Sequence, residues 1–285
     1  MPGSIAELVD LLDLEPIEVD LYRGRQPKTH LQRVFGGQVA AQALAAASRT
    51  APDDRWVHSL HAYFLRPGDP NGPIIYDVER IRDGGSFTTR RTVARQHGRP
   101  IFYMTASFHL DEEGFDHQDR MPDVPPPEDC PTLGDLYAAS TGESMEKWQQ
   151  EWAALDVRYV GDSRPGGVLS AEDHPAIARL WIRASGELSD DRELNTCVLA
   201  YASDLTLLGV ALVPQGIPIS SERVQTASLD HAMWFHRPFR ADRWMLYDQT
   251  APSASGARGF AFGRVFSQDG RLVASVVQEG LIRPR

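Results

Sequence analysis

Lysine is nearly absent from this chain. Of its 29 basic residues only Lys28 and Lys147 are lysines, and the others are arginines, a bias of composition with no functional meaning. Cysteine is scarce too: Cys130 and Cys197 make no CxxC pair and no metal-ligand spacing. The sequence therefore offers neither a disulfide framework nor a metal site, and it fits a reducing compartment. A basic balance is lacking. The net charge of −10 argues against a nucleic-acid partner, which needs cationic side chains to displace phosphate counterions. One phosphorylated small ligand needs only a local basic patch. The longest apolar run, Val198 to Val213, is broken by Asp204 and falls short of a membrane span. The N-terminus carries Glu7, Asp10, Asp13 and Glu15, where a secretory or mitochondrial leader would be basic. These absences lead us to expect a cytoplasmic protein with no membrane span.

What is present is ordinary globular material, 42% apolar and 24% charged. A length of 285 residues suggests two domains of roughly 150 residues. Ser4 and Glu7 have capping-box spacing, and Ile5, Leu8, Val9 and Leu12 recur at helical intervals. That predicts a short amphipathic helix, stopped by Pro16. Residues 35–50 form a second helix, so dense in alanine that it must be buried against a closely approaching sheet. An antiparallel meander follows at 57–65, 74–83, 87–96 and 101–110, punctuated by turn clusters such as Arg66-Pro67-Gly68-Asp69 and Gly84-Gly85. Residues 111–156 are acidic and proline-rich, with Met145, Trp148 and Trp152 at helical spacing; they read as a connection. The second half repeats the plan, with strands at 157–160 and 180–184, a helix over 194–213, and strands at 224–235, 244–248, 257–267 and 272–282.

The repeat is visible in the residues. His61-Ala62-Tyr63-Phe64-Leu65-Arg66-Pro67 is echoed by His231-Ala232-Met233-Trp234-Phe235-His236-Arg237-Pro238 with one inserted residue. Gln96-His97-Gly98-Arg99 is echoed by Gln268-Asp269-Gly270-Arg271. A separation of about 170 residues means duplicated domains, not a solenoid. We expect an N-terminal domain over 1–115, a connecting segment over 116–156 and a C-terminal domain over 157–285. Pairing two small sheets edge to edge would close an open edge on each.

Five segments carry a family likeness: Val34-Phe35-Gly36-Gly37-Gln38, His58 to Gly68, Tyr201-Ala202-Ser203-Asp204-Leu205, Asp230 to Pro238, and Val277-Gln278-Glu279-Gly280. In this order, and over nearly the whole chain, they resemble the acyl-CoA thioesterase II (TesB-like) family. The resemblance implies an α+β double hot-dog fold, two tandem hot-dog domains each with an antiparallel sheet wrapped around a central helix. It implies medium- to long-chain acyl-CoA as substrate, no metal, no cofactor, and a homo-oligomer, dimer or tetramer. It also implies hydrolysis by a water held between an Asp, a Thr or Ser hydroxyl and a Gln. Motif by motif these fall on Asp204, Ser228 and Gln278. Many members carry threonine where this chain has Ser228. Serine keeps the hydroxyl but loses the methyl that restrains its rotamer.

Taken alone, these residues leave alternatives open. Asp204 lies in an apolar helical run, where a carboxylate is costly unless hydrogen-bonded; it is either a general base or a group on the helix's wet side. Gln278 alternates with Leu272, Ala274 and Val276 on one strand face, where it binds water or satisfies backbone. Ser228 has no Gly-x-Ser-x-Gly elbow, which argues against an acyl-serine intermediate. His58, His61, His231 and His236 compete as bases. His61 and His231 occupy echoing positions, which favours a shared structural duty, and His58 is a candidate to touch the substrate. Met233, Trp234 and Phe235 are candidates to line an acyl tunnel. Arg82, Arg90, Arg91 and Arg95 are candidates for the CoA phosphates. Enoyl-CoA hydratase or dehydratase chemistry on the same fold would call for an Asp-x-Asn-Pro-x-His-like loop, which the chain lacks. A non-catalytic acyl-CoA-binding module is the third reading.

Overall fold

The computed structural model describes residues 1–141, 151–172 and 174–285. The helical piece expected around Met145 and Trp148 lies outside the described residues. Along the chain run α1 (Ile5–Leu12), β1 (Glu15–Glu18), β2 (Leu21–Gly24), α2 (Gly36–Ser48), β3 (Arg55–Phe64), β4 (Ile74–Asp83), β5 (Phe87–Gln96) and β6 (Arg99–Leu110). Then come α3 (Leu133–Thr141), β7 (Leu155–Asp162), β8 (Ile177–Ala184), α4 (Arg192–Ser203), β9 (Val224–Ser228), β10 (Asp230–Phe235), β11 (Met245–Ser255), β12 (Arg258–Ser267) and β13 (Leu272–Pro284). The strands form one sheet in the order β1-β2-β4-β5-β6-β3-β10-β13-β12-β11-β8-β7, with β9 also paired to β13. First-half strands fill one side and second-half strands the other. They meet at the antiparallel β3–β10 pair, where Leu60 faces Met233 and Ala62 faces His231.

Alpha-helix α2 is buried from Gly37 to Ala47, as its small side chains require. It packs against α4 so closely that a Cβ on Gly37 would lie 2.3 Å from the Tyr201 carbonyl oxygen; only glycine fits there. Its two buried amides are satisfied. Gln42 donates to the Leu11 carbonyl at 2.7 Å and accepts from the Tyr76 hydroxyl at 2.8 Å, and Gln38 donates to Gln26 at 3.0 Å. Residues beyond β6 run as a strap over the second half. Gln118 bonds the β12–β13 turn, and the Trp181 indole donates to the Pro125 carbonyl at 2.9 Å.

The meander matches the sequence reading, but four features differ. A short hairpin, β1–β2, extends the first sheet where only the stop of α1 was foreseen. The run 194–213 is not one α-helix: α4 ends at Ser203 with Asp204 as its C-cap, and Leu207–Gln215 is a 3-10 segment. Together Arg192–Gln215 has the length and apolarity of a membrane span, yet most of its apolar stretch is buried inside the protein. The run 224–235 is not one strand. The Gly280–Ser228 and Val277–Ala232 pairings are out of step by one residue, so the chain bulges at Leu229. Finally, His61 and His231 do not share a duty. His61 is exposed and meets Trp234 edge-on at 5.1 Å. His231 is fully buried and bonds Ser203 at 2.8 Å. The echo is anchored at its Arg-Pro end, and the inserted residue turns the two histidines to opposite faces.

Candidate active site

The bulge at Leu229 builds the site. On an unbroken strand Ser228 would share the outer face with Ala232 and Trp234, because strand side chains alternate. The extra residue reverses that parity. Ser228 now pairs with Gly280 on the same face as Gln278, which is fully buried. Bonds from three directions hold the bulge. Leu229 N donates to the Glu279 carbonyl at 3.0 Å, Phe64 N donates to the Leu229 carbonyl at 2.9 Å, and Glu279 N donates to the Asp230 carboxylate at 2.6 Å.

Both inward groups reach Asp204. The Gln278 amide nitrogen donates to Asp204 Oδ1 at 2.5 Å, and the Ser228 hydroxyl donates to the same oxygen at 3.3 Å. A carboxylate only accepts, so the amide must present its nitrogen; its oxygen is left buried and without a partner. A third donor comes from the other half of the chain, the Gly37 N–H at the start of α2. That helix has Phe35 at its N-cap and no side-chain cap, so Asp204 occupies the place of a capping carboxylate. Gly36 must be glycine here, since a Cβ would lie 2.5 Å from Asp204 Oδ2. Part of Asp204 stays open to solvent on one side, but burial outweighs the three donors and pushes its pKa up to about 6. The chain on either side is pinned. The Tyr247 hydroxyl donates to the Ser203 carbonyl at 3.0 Å, and Gln249 donates to the Thr206 hydroxyl at 2.7 Å.

Asp204 and Ser228 lie in the wall of a cleft of about 600 Å³ that opens between the halves. Phe35, Phe64, Leu205 and Leu208 make its apolar lining, and Arg33 and Arg66 stand among the polar residues. Trp152, shortly before β7, meets Phe35 edge-on at 5.1 Å.

Comparison with known proteins bears on this arrangement. The family model described as acyl-CoA thioesterase matches residues 148–281, and the one described as acyl-CoA thioesterase N-terminal domain matches residues 25–109. Acyl-CoA thioesterase 2 of Haemophilus influenzae is 40% identical over 99% of each chain. The crystal structure of acyl-CoA thioesterase II TesB2 from Mycobacterium marinum superposes with a TM-score of 0.83, at 47% identity over 97% of this chain and 98% of that one. The chain belongs to the acyl-CoA thioesterase II family. Its fold is the double hot dog; a hot-dog protein of unknown function from Alicyclobacillus acidocaldarius, 22% identical over 97% of each chain with a TM-score of 0.77, shares that fold alone.

Not every residue singled out in this thioesterase-family sequence lies at the cleft. His58 bonds Ser107 at 2.8 Å, and burial, with His109 nearby, holds its pKa below the usual value. Met233 is fully buried at the sheet seam, its sulfur 3.4 Å from the Ser203 hydroxyl. Trp234 faces His61 on the outer side. Arg90 is buried and bonds the Thr50 carbonyl at 2.9 Å and Asp83 at 2.7 Å, tying down the end of α2. Arg91 points outward and pairs with Glu79. None of these five, nor Phe235, Arg82 or Arg95, lines the cleft. The sequence reading passed over Gly36 and Gly37 as single residues. Two glycines opening an alanine-rich helix, where a capping side chain would be usual, were the available signal.

Proposed function

We propose that this chain is an acyl-CoA thioester hydrolase in which Asp204, Ser228 and Gln278 hold and deprotonate the attacking water. One observation carries the reading: a hydroxyl and a carboxamide, from two strands, converge on one oxygen of a desolvated carboxylate beside an apolar cleft. A carboxylate with a pKa of about 6 is still ionised at neutral pH and is a better base than a solvated one. The water donates one hydrogen to the unpartnered Gln278 oxygen and passes its other proton to Asp204 as its oxygen bonds the thioester carbon. Collapse of the tetrahedral species breaks the C–S bond. CoA leaves as thiolate and takes the proton from Asp204. No bond forms between enzyme and acyl group.

The cleft suits medium- to long-chain acyl groups, with Arg33 and Arg66 as the cationic side chains for CoA phosphates. The two hot-dog units are residues 1–115 and 157–285, joined by 116–156. The enzyme works in the cytoplasm as a homo-oligomer, dimer or tetramer; Tyr63 and Tyr103, adjacent and exposed on the outer sheet face, are surface that a second copy would cover. The test is release of free thiol from acyl-CoAs of increasing chain length, with Asp204→Asn lowering kcat by at least ~100-fold. Hydration of an enoyl-CoA without thiol release would overturn the reading.

A further inference from the structure

We infer that Ile219 sets the acyl chain length this cleft accepts, by standing as a partition between it and a second apolar cavity; the inference rests on the acyl-CoA reading above. The second cavity, of about 150 Å³, is mostly apolar, with Leu180, Val210, Val213 and Ile217 in its walls, and Asp162, Arg164 and Gln249 also border it. Among the described residues, Ile219 alone lines both spaces. The turn after Asp204 divides between them. Leu205 and Leu208 line the catalytic cleft, and Thr206 and Gly209 line the cavity behind it.

Ile219 returns to this turn after the left-handed Gly216, which has φ of +61°. It settles over Gly209, where a Cβ would lie 3.7 Å from the Ile219 Cβ. The turn presents no side chain there, and the isoleucine stands in the gap. Ile219 is 39% exposed and belongs to a loop, not to the locked core, so other side chains fit at this position. An acyl chain whose carbonyl sits at Asp204 runs along Leu205 and Leu208. Short chains end inside the first space; longer ones meet Ile219. Removing the partition joins the two cavities and gives the extra methylenes an apolar lodging, each worth about fourfold in kcat/KM.

The experiment measures kcat/KM by thiol release, from short to very long saturated acyl-CoAs, for the wild type, Ile219→Ala and Ile219→Trp. In Ile219→Ala the ratio of long-chain to short-chain kcat/KM rises at least about tenfold, as two newly housed methylenes require. In Ile219→Trp the same ratio falls by a similar factor. Ratios within about twofold of wild type in both variants would overturn the partition and leave the hydrolase reading standing. A wild type that releases thiol from no acyl-CoA would overturn the hydrolase reading itself, and the partition with it.

Discussion

Lowering the pH is the most discriminating perturbation of this site, because burial has moved Asp204 from an ordinary 3.8 to about 6. The proposed mechanism needs the carboxylate, so kcat/KM should climb with pH through about 6 and then level off. At a pH of about 5 roughly one-tenth of the groups would be ionised, and the rate should lie about tenfold below its plateau. A solvated aspartate would keep more than about nine-tenths of its activity there. The assay is thiol release followed with a reagent that reacts in acid. His58 also titrates below its usual 6.5, so the control is decisive: His58→Ala keeps the acid limb, and Asp204→Asn loses it together with at least ~100-fold of kcat. Stability should move the opposite way. Between the unfolded and folded pKa values the native state holds the proton more tightly, so this group's contribution falls as pH rises through that window. Above about 6 the full cost, about 3 kcal/mol, is present. Asparagine removes that cost but has one oxygen where the carboxylate has two, and a donor left facing its NH2 group returns about 1–3 kcal/mol. Any gain in the melting point of Asp204→Asn should therefore be confined to neutral and alkaline pH. A wild-type profile flat down to a pH of about 5, or an Asp204→Asn variant within about tenfold of wild type, would refute the assignment.

Gly36→Ala drives a methyl into Asp204 Oδ2, with 2.5 Å available; kcat should fall at least about tenfold while steady-state KM changes less. Ser228→Ala removes one donor from Asp204, so the acid limb should shift to higher pH and the rate drop about 10–100-fold. Ser228→Thr keeps the hydroxyl and restrains it, and activity at or above the wild-type level is expected on the same substrates. For His58→Ala, which lies away from the cleft, kcat/KM should stay within about threefold of wild type; a loss matching Asp204→Asn would move the base to His58.

Much of this was open to sequence reasoning, because local pattern decided it. Strands β4 and β5 were bounded correctly by their turns, and α2 announced its burial through alanine. Even the split between Arg90 and Arg91 follows from alternation: Thr88, Thr92 and Ala94 are buried with Arg90, and Arg91 is turned out. The bulge at Leu229 was not legible, since Thr226 to Ala232 reads as one strand. What fixes the extra residue comes from elsewhere, Glu279 on β13 and Phe64 on β3. The end of α4 at Ser203 is also decided from outside, by Tyr247 and by the donors that converge on Asp204. Asp204 and Gln278 were reached by motif, and Ser228 by its place two residues before one. Periodicity by itself would have turned Ser228 to the wrong face.

Fusion of two similar units creates two similar places where the N-terminus of one central helix meets the end of the other, and the structure treats them differently. At α4 the N-cap is Asp191, whose side chain accepts from Glu193 N and Leu194 N. Those donors are satisfied locally. Asp191, Arg192 and Glu193 border a cleft of about 240 Å³ at this end, which Ser48, the last residue of α2, and Ala51 just beyond it also line. The position that matches Asp204, one residue past the end of the helix, is Arg49 at α2. At α2 the N-cap is Phe35, which caps nothing, so free N–H groups and the positive end of a helix dipole face the seam. Asp204 fills that vacancy from the other unit. A carboxylate desolvated this far needs such donors to remain ionised at neutral pH. The first half thus supplies the electrostatic seat and the second half the carboxylate, hydroxyl and amide. In the proposed mechanism neither half has a complete site by itself, which is a physical reason for the two to be joined in one chain.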